Sequence, residues 1–116
     1  MDICFEGIGQ VVATFQTKNE KLTAGMAVTM TGNGEVGLSS DNKTLCGVTV
    51  GAARGGAVAV QIGGVVKVGY SDPTAPTVGF AALACDGEGE VTAGKDGANC
   101  LVLAVDESEK TVVVKL

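Results

Sequence analysis

Between Ala57 and Tyr70, in the stretch AVAVQIGGVVKVGY, apolar side chains fall on alternate positions: Val58, Val60, Ile62, Val66, Val68 and Tyr70, with Gly64 holding the remaining even place. The intervening positions Ala59, Gln61, Gly63, Lys67 and Gly69 are small or polar. A period of two predicts one strand, or two strands in line, with a single buried face, and makes this the longest extended element of the chain. Gly63 and Gly64 sit at its middle, where missing side chains permit a bulge or sharp bend, so the run is expected to turn a corner of a barrel or sandwich. Similar alternation predicts strands over Gln10 to Thr17, around Met26, Val28 and Met30, over Leu45 to Val50, along Leu101, Leu103 and Val105, and over Thr111 to Leu116. Gly47 within the Leu45 run permits close backbone approach. Turns are expected at Lys18 to Lys21, Gly32 to Gly34, Arg54 to Gly56 and Asp106 to Lys110. Loops are expected over Leu38 to Thr44 and over Ser71 to Pro76, which holds both prolines. Residues 1–8 have no period and are assigned to an N-terminal arm, leaving residues 9–116 as a single β domain. No segment sustains a period of 3.6, so any helix is short.

The segments flanking the central run repeat each other. Gly25-Met26-Ala27-Val28 leads to Gly32-Asn33-Gly34-Glu35-Val36 and then Cys46, while Gly79-Phe80-Ala81-Ala82 leads to Gly87-Glu88-Gly89-Glu90-Val91 and then Cys100. The separations agree, 46 − 25 = 21 and 100 − 79 = 21 residues, because an insertion before the second GxGEV is cancelled by a deletion after it. This predicts an internal duplication of a strand, hairpin, strand unit over Met26 to Cys46 and Phe80 to Cys100. Two copies are too few for a solenoid and suit a pseudo-symmetric barrel.

Composition strengthens the all-β assignment: the chain holds 18 Val and 18 Gly among 116 residues, with no Trp. A single domain of this length buries about 65% of its unfolded surface. Mean hydropathy of +0.35 with 18% charged residues is high for so small a soluble protein, which predicts apolar surface covered by another chain. The net charge of −5, with Arg54 the one arginine, leaves no basic stripe for nucleic acid. No apolar run reaches membrane-spanning length, and the start MDICFEGIGQ lacks the pattern of a secretory signal, so neither a membrane nor secretion is expected. Cys4, Cys46, Cys85 and Cys100 are far apart and are expected to be reduced, mostly buried thiols; Cys46 and Cys100 hold equivalent places in the two copies, and a disulfide is not excluded by sequence.

No motif assembles a chemical site. Gly32-Asn33-Gly34-Glu35-Val36-Gly37 spells GxGxxG, but it does not open a helical pattern and its duplicate lacks the third glycine, which favours a hairpin turn over a dinucleotide cradle. Asp86, Glu88 and Glu90 alternate as calcium ligands would, yet Gly97 stands where the twelfth-position glutamate belongs, so a solvated turn is favoured. Asn42-Lys43-Thr44 is a glycosylation sequon without a secretory signal to give it meaning. The absence of histidine removes Ser-His and Cys-His catalysis and the commonest zinc ligand, and no cysteine has a cationic neighbour to form thiolate. No catalytic, cofactor or metal residue is therefore assigned. An enzyme working through carboxylates brought together by the fold is the least favoured class.

The succession VVATF, AGMAVTMTG, CGV with RGG, AVAVQIGGVVKVGYS, VGFAALACDGEGEV, LVLAVD and VVVKL resembles the small head decoration (cement) proteins of tailed phages and prophages. It is most like a prophage group from gut clostridia classified as a domain of unknown function. The resemblance covers residues 9–116. It implies a β-rich domain of the β-clip or β-tulip kind, a homotrimer seated on the outer face of the major capsid protein lattice, with the arm taking part. It also implies residence in the bacterial host cytoplasm and then on the virion head. The alternative class is a non-viral β-barrel module binding a peptide or saccharide, for which only Phe5, Phe15, Phe80 and Tyr70 supply aromatic surface.

Overall fold

The computed structural model describes residues 9–38, 44–73, 76–93 and 98–116. The expected arm with Cys4, most of the Leu38 to Thr44 loop with its sequon, the middle of the Ser71 to Pro76 loop, and Gly97 lie outside them. The protein is all-β: the described residues form ten strands and no helix. In chain order they are β1 (Val11–Gln16), β2 (Ala27–Gly32), β3 (Glu35–Gly37), β4 (Gly47–Thr49), β5 (Ala57–Gly63), β6 (Val65–Gly69), β7 (Gly79–Cys85), β8 (Val91–Ala93), β9 (Ala98–Asp106) and β10 (Thr111–Lys115).

Two five-stranded sheets divide the chain at its middle. The first has the order β1-β3-β2-β4-β5 and curls until its ends meet, since β5 pairs antiparallel with β1 from Gln16↔Ala57 to Val11↔Gly63. Its last contact is a single parallel pair, Gln16↔Glu35, between β1 and β3, so the ring is pinned at one point and is not a clean barrel. The second sheet has the order β6-β10-β9-β7-β8. An isolated parallel bridge, Tyr70↔Val91, joins its two ends.

Written from the hairpin partner, these orders are β3-β2-β4-β5-β1 and β8-β7-β9-β10-β6, the same sequence of strands displaced by five. The duplication therefore extends beyond the strand, hairpin, strand unit to the whole five-stranded sheet. Left-handed backbone positions recur with it: Gly9 and Gly64, Gly25 and Gly79, Gly34 and Gly89, and Gly56 and Lys110, each pair 54 or 55 residues apart. Lys110, with φ of 55°, is the one non-glycine among them, and its Nζ lies 5.6 Å from the centre of the Tyr70 ring. The hairpins correspond as expected, with β2 lying between β3 and β4 as β7 lies between β8 and β9. Facing does not correspond at the first position. Met26 packs partly against the first core, whereas Phe80 points outward and is 75% exposed.

The central run is two strands in different sheets, β5 and β6, hinged at Gly64 with φ of 88°. The expected bend is present, and neither strand alone is the longest; that is β9, with nine residues. The buried alternation also breaks inside β5. Val12 faces Gln61 and Val11 faces Gly63, so Ile62 is the extra residue of a bulge and is turned out to 40% exposure, while Gln61 is buried. At Gly47 the expected close approach is found: a Cβ there would stand 2.7 Å from Val60 Cγ1 and 3.2 Å from the Gln61 carbonyl carbon.

Two apolar clusters fill the halves. Inside the ring lie Leu22, Val28, Val36, Ala53, Val58 and Val60. Against the second sheet lie Val68, Tyr70, Leu83, Val102, Val112 and Val114 with the thiols of Cys85 and Cys100, and this cluster also takes in Ala27, Leu45 and Val48 from the first half. Each buried Val or Leu contributes about 1.5–3 kcal/mol, so the three borrowed residues tie the stability of one half to the other.

Candidate interaction surface

Polar side chains near the core are used up by the fold. Thr49 Oγ1 donates to the Thr23 carbonyl and accepts the Met26 amide at 2.9 Å, and Thr29 Oγ1 donates to the Thr44 carbonyl at 2.7 Å. Gln61 Nε2 donates to the carbonyls of Gly63 at 3.0 Å and Val65 at 3.1 Å, across the hinge between the sheets. Among the described residues no buried side-chain nitrogen or oxygen lacks a partner, so none is left to aim at a ligand.

The candidate motifs resolve in the same way. Gly32 to Gly37 forms the β2–β3 hairpin, with no helix to receive a phosphate. Asp86 Oδ1 accepts the amides of Glu88 at 2.7 Å and Glu90 at 3.1 Å, so this carboxylate staples its own turn. That turn was expected to be solvated. Instead Gly89 is buried against Met26, and its carbonyl accepts the Ala27 amide at 2.7 Å; Glu88 alone of the three acidic residues is exposed. The described cysteines Cys46, Cys85 and Cys100 are free thiols. Burial pushes the Cys85 thiol up to about 12, aided by Cys46 and Asp86, and burial raises Cys46 and Cys100 as well, so none is a thiolate at neutral pH. The Asp106 carboxyl is held below its usual range first by the Ser108 hydroxyl, which donates to it at 2.7 Å, in an exposed turn.

What the molecule does present is apolar. Val78 is 63% exposed and Phe80 75% exposed, side by side at the start of β7. Phe80 borders a cleft of about 570 Å³ lined by Pro73, Pro76, Ala82 and Ala93, with Asp72 on its wall. The Asp72 carboxylate is occupied, accepting from Thr92 Oγ1 and from the Ala93 amide at 2.8 Å, so the cleft offers shape and apolar contact. A second exposed group, Val11, Val12 and Ile62, gathers at the β1–β5 bulge. Sequence reasoning missed both groups, because alternation assigns an apolar residue to the buried face. Composition predicted apolar surface without placing it, and the local hint was that Phe80 stands where the other copy has a methionine.

No protein-family model matches this chain, and no curated protein matches it.

Proposed function

We propose that this chain is a head decoration (cement) protein of a tailed phage or prophage, a structural protein that binds the outer capsid lattice as a homotrimer and stabilises it. The observation that carries this reading is the exposure of Val78 and Phe80 on an acidic molecule whose buried polar side chains, among the described residues, all have partners. Burying most of one such aromatic contributes about 2 kcal/mol, and a cluster of them supplies the dry centre that a protein interface needs. The all-β fold and the sequence resemblance support the same role. Such a protein works first in the host cytoplasm and then on the virion head.

The test is to mix the protein with empty heads of its own phage and measure co-sedimentation. Roughly stoichiometric recovery with the heads is expected. A folded protein that stays in the supernatant of intact heads overturns the reading. It would favour a module that takes a peptide in the apolar cleft beside Phe80.

A further inference from the structure

Beside Phe80 the second sheet has an edge that its own strands leave uncovered. On one side β7 pairs with β9 from Gly79↔Val102 to Leu83↔Ala98. On the other it pairs with β8 only from Leu83↔Ala93 to Cys85↔Val91. Among the described residues, nothing pairs with Gly79 to Ala82 on that second side. The direction of the backbone groups there follows from the hydrogen bonds of β8. The Val91 carbonyl accepts the Ser71 amide at 3.0 Å, and the Ala93 amide donates to Asp72 Oδ2 at 2.8 Å, so both residues turn away from β7. Thr92 between them faces Ala84, its partner in the ladder. Alternation along an antiparallel strand then turns the amides and carbonyls of Ala82 and Phe80 to the same side as those of Ala84, beyond the end of β8.

The cleft of about 570 Å³ lies along this edge. β7 from Phe80 to Leu83 forms one wall, Pro73 and Pro76 form the other, and Ala93 closes it where β8 stops. It is a slot in the line that β8 would follow if it ran on. Four residues of strand span about 13 Å, and unpaired N–H and C=O groups at strand spacing are matched by another extended backbone. We infer that the slot takes an extended segment of a partner protein, which adds to β7 as a strand and exchanges hydrogen bonds with Phe80 and Ala82. A second copy pairing β7 to β7 would bring its own Pro73 to Pro76 wall against the first, so a lone segment fits the slot better than a second sheet. The exposed side chains of Val78 and Phe80 favour apolar residues in that segment. The net charge of −5 and Asp72 on the wall disfavour acidic ones. Proline is excluded wherever the segment must donate to β7. That the capsid subunit supplies the segment rests on the function proposed above; the strand addition does not.

Amide hydrogen exchange of the full chain, read by NMR, tests the edge and its occupant. In the free protein the Phe80 and Ala82 amides should exchange fast, while Ala81, turned toward β9, is protected. The probe is the capped peptide KVTVTVK. At millimolar concentration it should shift the resonances of residues 79–82 and slow exchange at Phe80 and Ala82 at least about tenfold. The same peptide N-methylated at every central residue keeps its side chains and loses its donors, and should bind at least about tenfold more weakly. Phe80 and Ala82 already protected in dilute protein would overturn the inference, as would an edge that ignores the peptide. Equal binding of the two peptides would reduce the slot to apolar contact and overturn strand addition. Protection that rises with protein concentration alone would give the edge to a second copy and overturn it too. On empty heads of its own phage, exchange read by mass spectrometry should show residues 79–82 protected in the bound protein. A protein that coats heads with this edge still exchanging fast overturns the inference and leaves the capsid reading. One that takes the peptide and ignores heads removes the capsid reading alone.

Discussion

Replacing Gly47 by alanine tests whether β4 and β5 approach as closely as the ring requires. The pair runs antiparallel with Val48 opposite Gln61 and Thr49 opposite Val60. The new methyl would stand 2.7 Å from Val60 Cγ1 and 3.2 Å from the Gln61 carbonyl carbon, and nearer still to the Gln61 carbonyl oxygen. Carbon atoms prefer about 3.5–4.0 Å, so the strands must part by roughly an ångström. Val60 cannot yield, being fully buried among Val28, Val36 and Val58. Overpacking of this kind costs about 1–3 kcal/mol, and weakening a strand hydrogen bond adds about 1 kcal/mol. A total near 3 kcal/mol is large against a stability of about 5–15 kcal/mol. Urea unfolding followed by circular dichroism should show the midpoint lowered by about 2 M, taking a slope of about 1.5 kcal/mol/M. Gly51→Ala is the control, because a Cβ there meets nothing within 4 Å and its φ is not left-handed; its midpoint should hold or rise slightly. If Gly47→Ala unfolds within about 0.3 M of the natural protein, the close approach is not real and the account of the ring fails.

Gln61→Leu keeps the volume of the buried side chain but strips both donors from the Gly63 and Val65 carbonyls, and should cost about 1–3 kcal/mol in the same assay; an unchanged midpoint would show that the hinge needs no polar peg. The Cys85 thiol should resist disulfide reagents at pH 8 until the protein unfolds, and labelling at the rate of a free thiol would contradict its burial. Since its folded pKa is raised from 9.0 to about 12, its contribution to stability is complete below pH 9 and is lost as pH rises through that window, a decline that Cys85→Val should lessen, leaving the smaller share of Cys46 and Cys100. Tyr70 fluorescence, reporting the second half, and labelling of half-buried Cys46, reporting the first, should give coincident unfolding transitions, because Ala27, Leu45 and Val48 belong to the second half's core; separate midpoints would show two independent units.

Strands were legible in this chain wherever valine alternated with small or polar residues, because a half-buried pleat needs that pattern. Val58 and Val60, and Val112 and Val114, lie inward as the pattern demands. Gly63-Gly64 and Gly47 were legible for a related reason: each interrupts an apolar run with a missing side chain, and backbone geometry is what such residues permit. The bulge at Ile62 was hidden, since it is set by which residue of β1 faces which residue of β5, a pairing between strands distant in sequence. The full extent of the duplication was hidden as well. Beyond the glycine and cysteine landmarks, the likeness of Val11-Val12 to Val65-Val66 is no more than any two strands share. The exposure of Phe80 was not legible, because hydrophobicity favours burial without saying in which molecule.

The duplication has a physical rationale in the size of one copy. One copy of the unit, about 54 residues by the recurrence of its left-handed positions, is near the lower limit for an independent core. Fusing two copies lets the second cluster borrow Ala27, Leu45 and Val48. The copies meet through unlike parts, the Gly89 carbonyl accepting the Ala27 amide at 2.7 Å, while the equivalent Gly34 carbonyl accepts the Gln16 amide at 2.8 Å within its own sheet. Val78 and Phe80 stand in water at a free-energy cost that burial against another molecule would recover. The exposure of these two side chains is the physical basis on which a structural role is proposed for this protein.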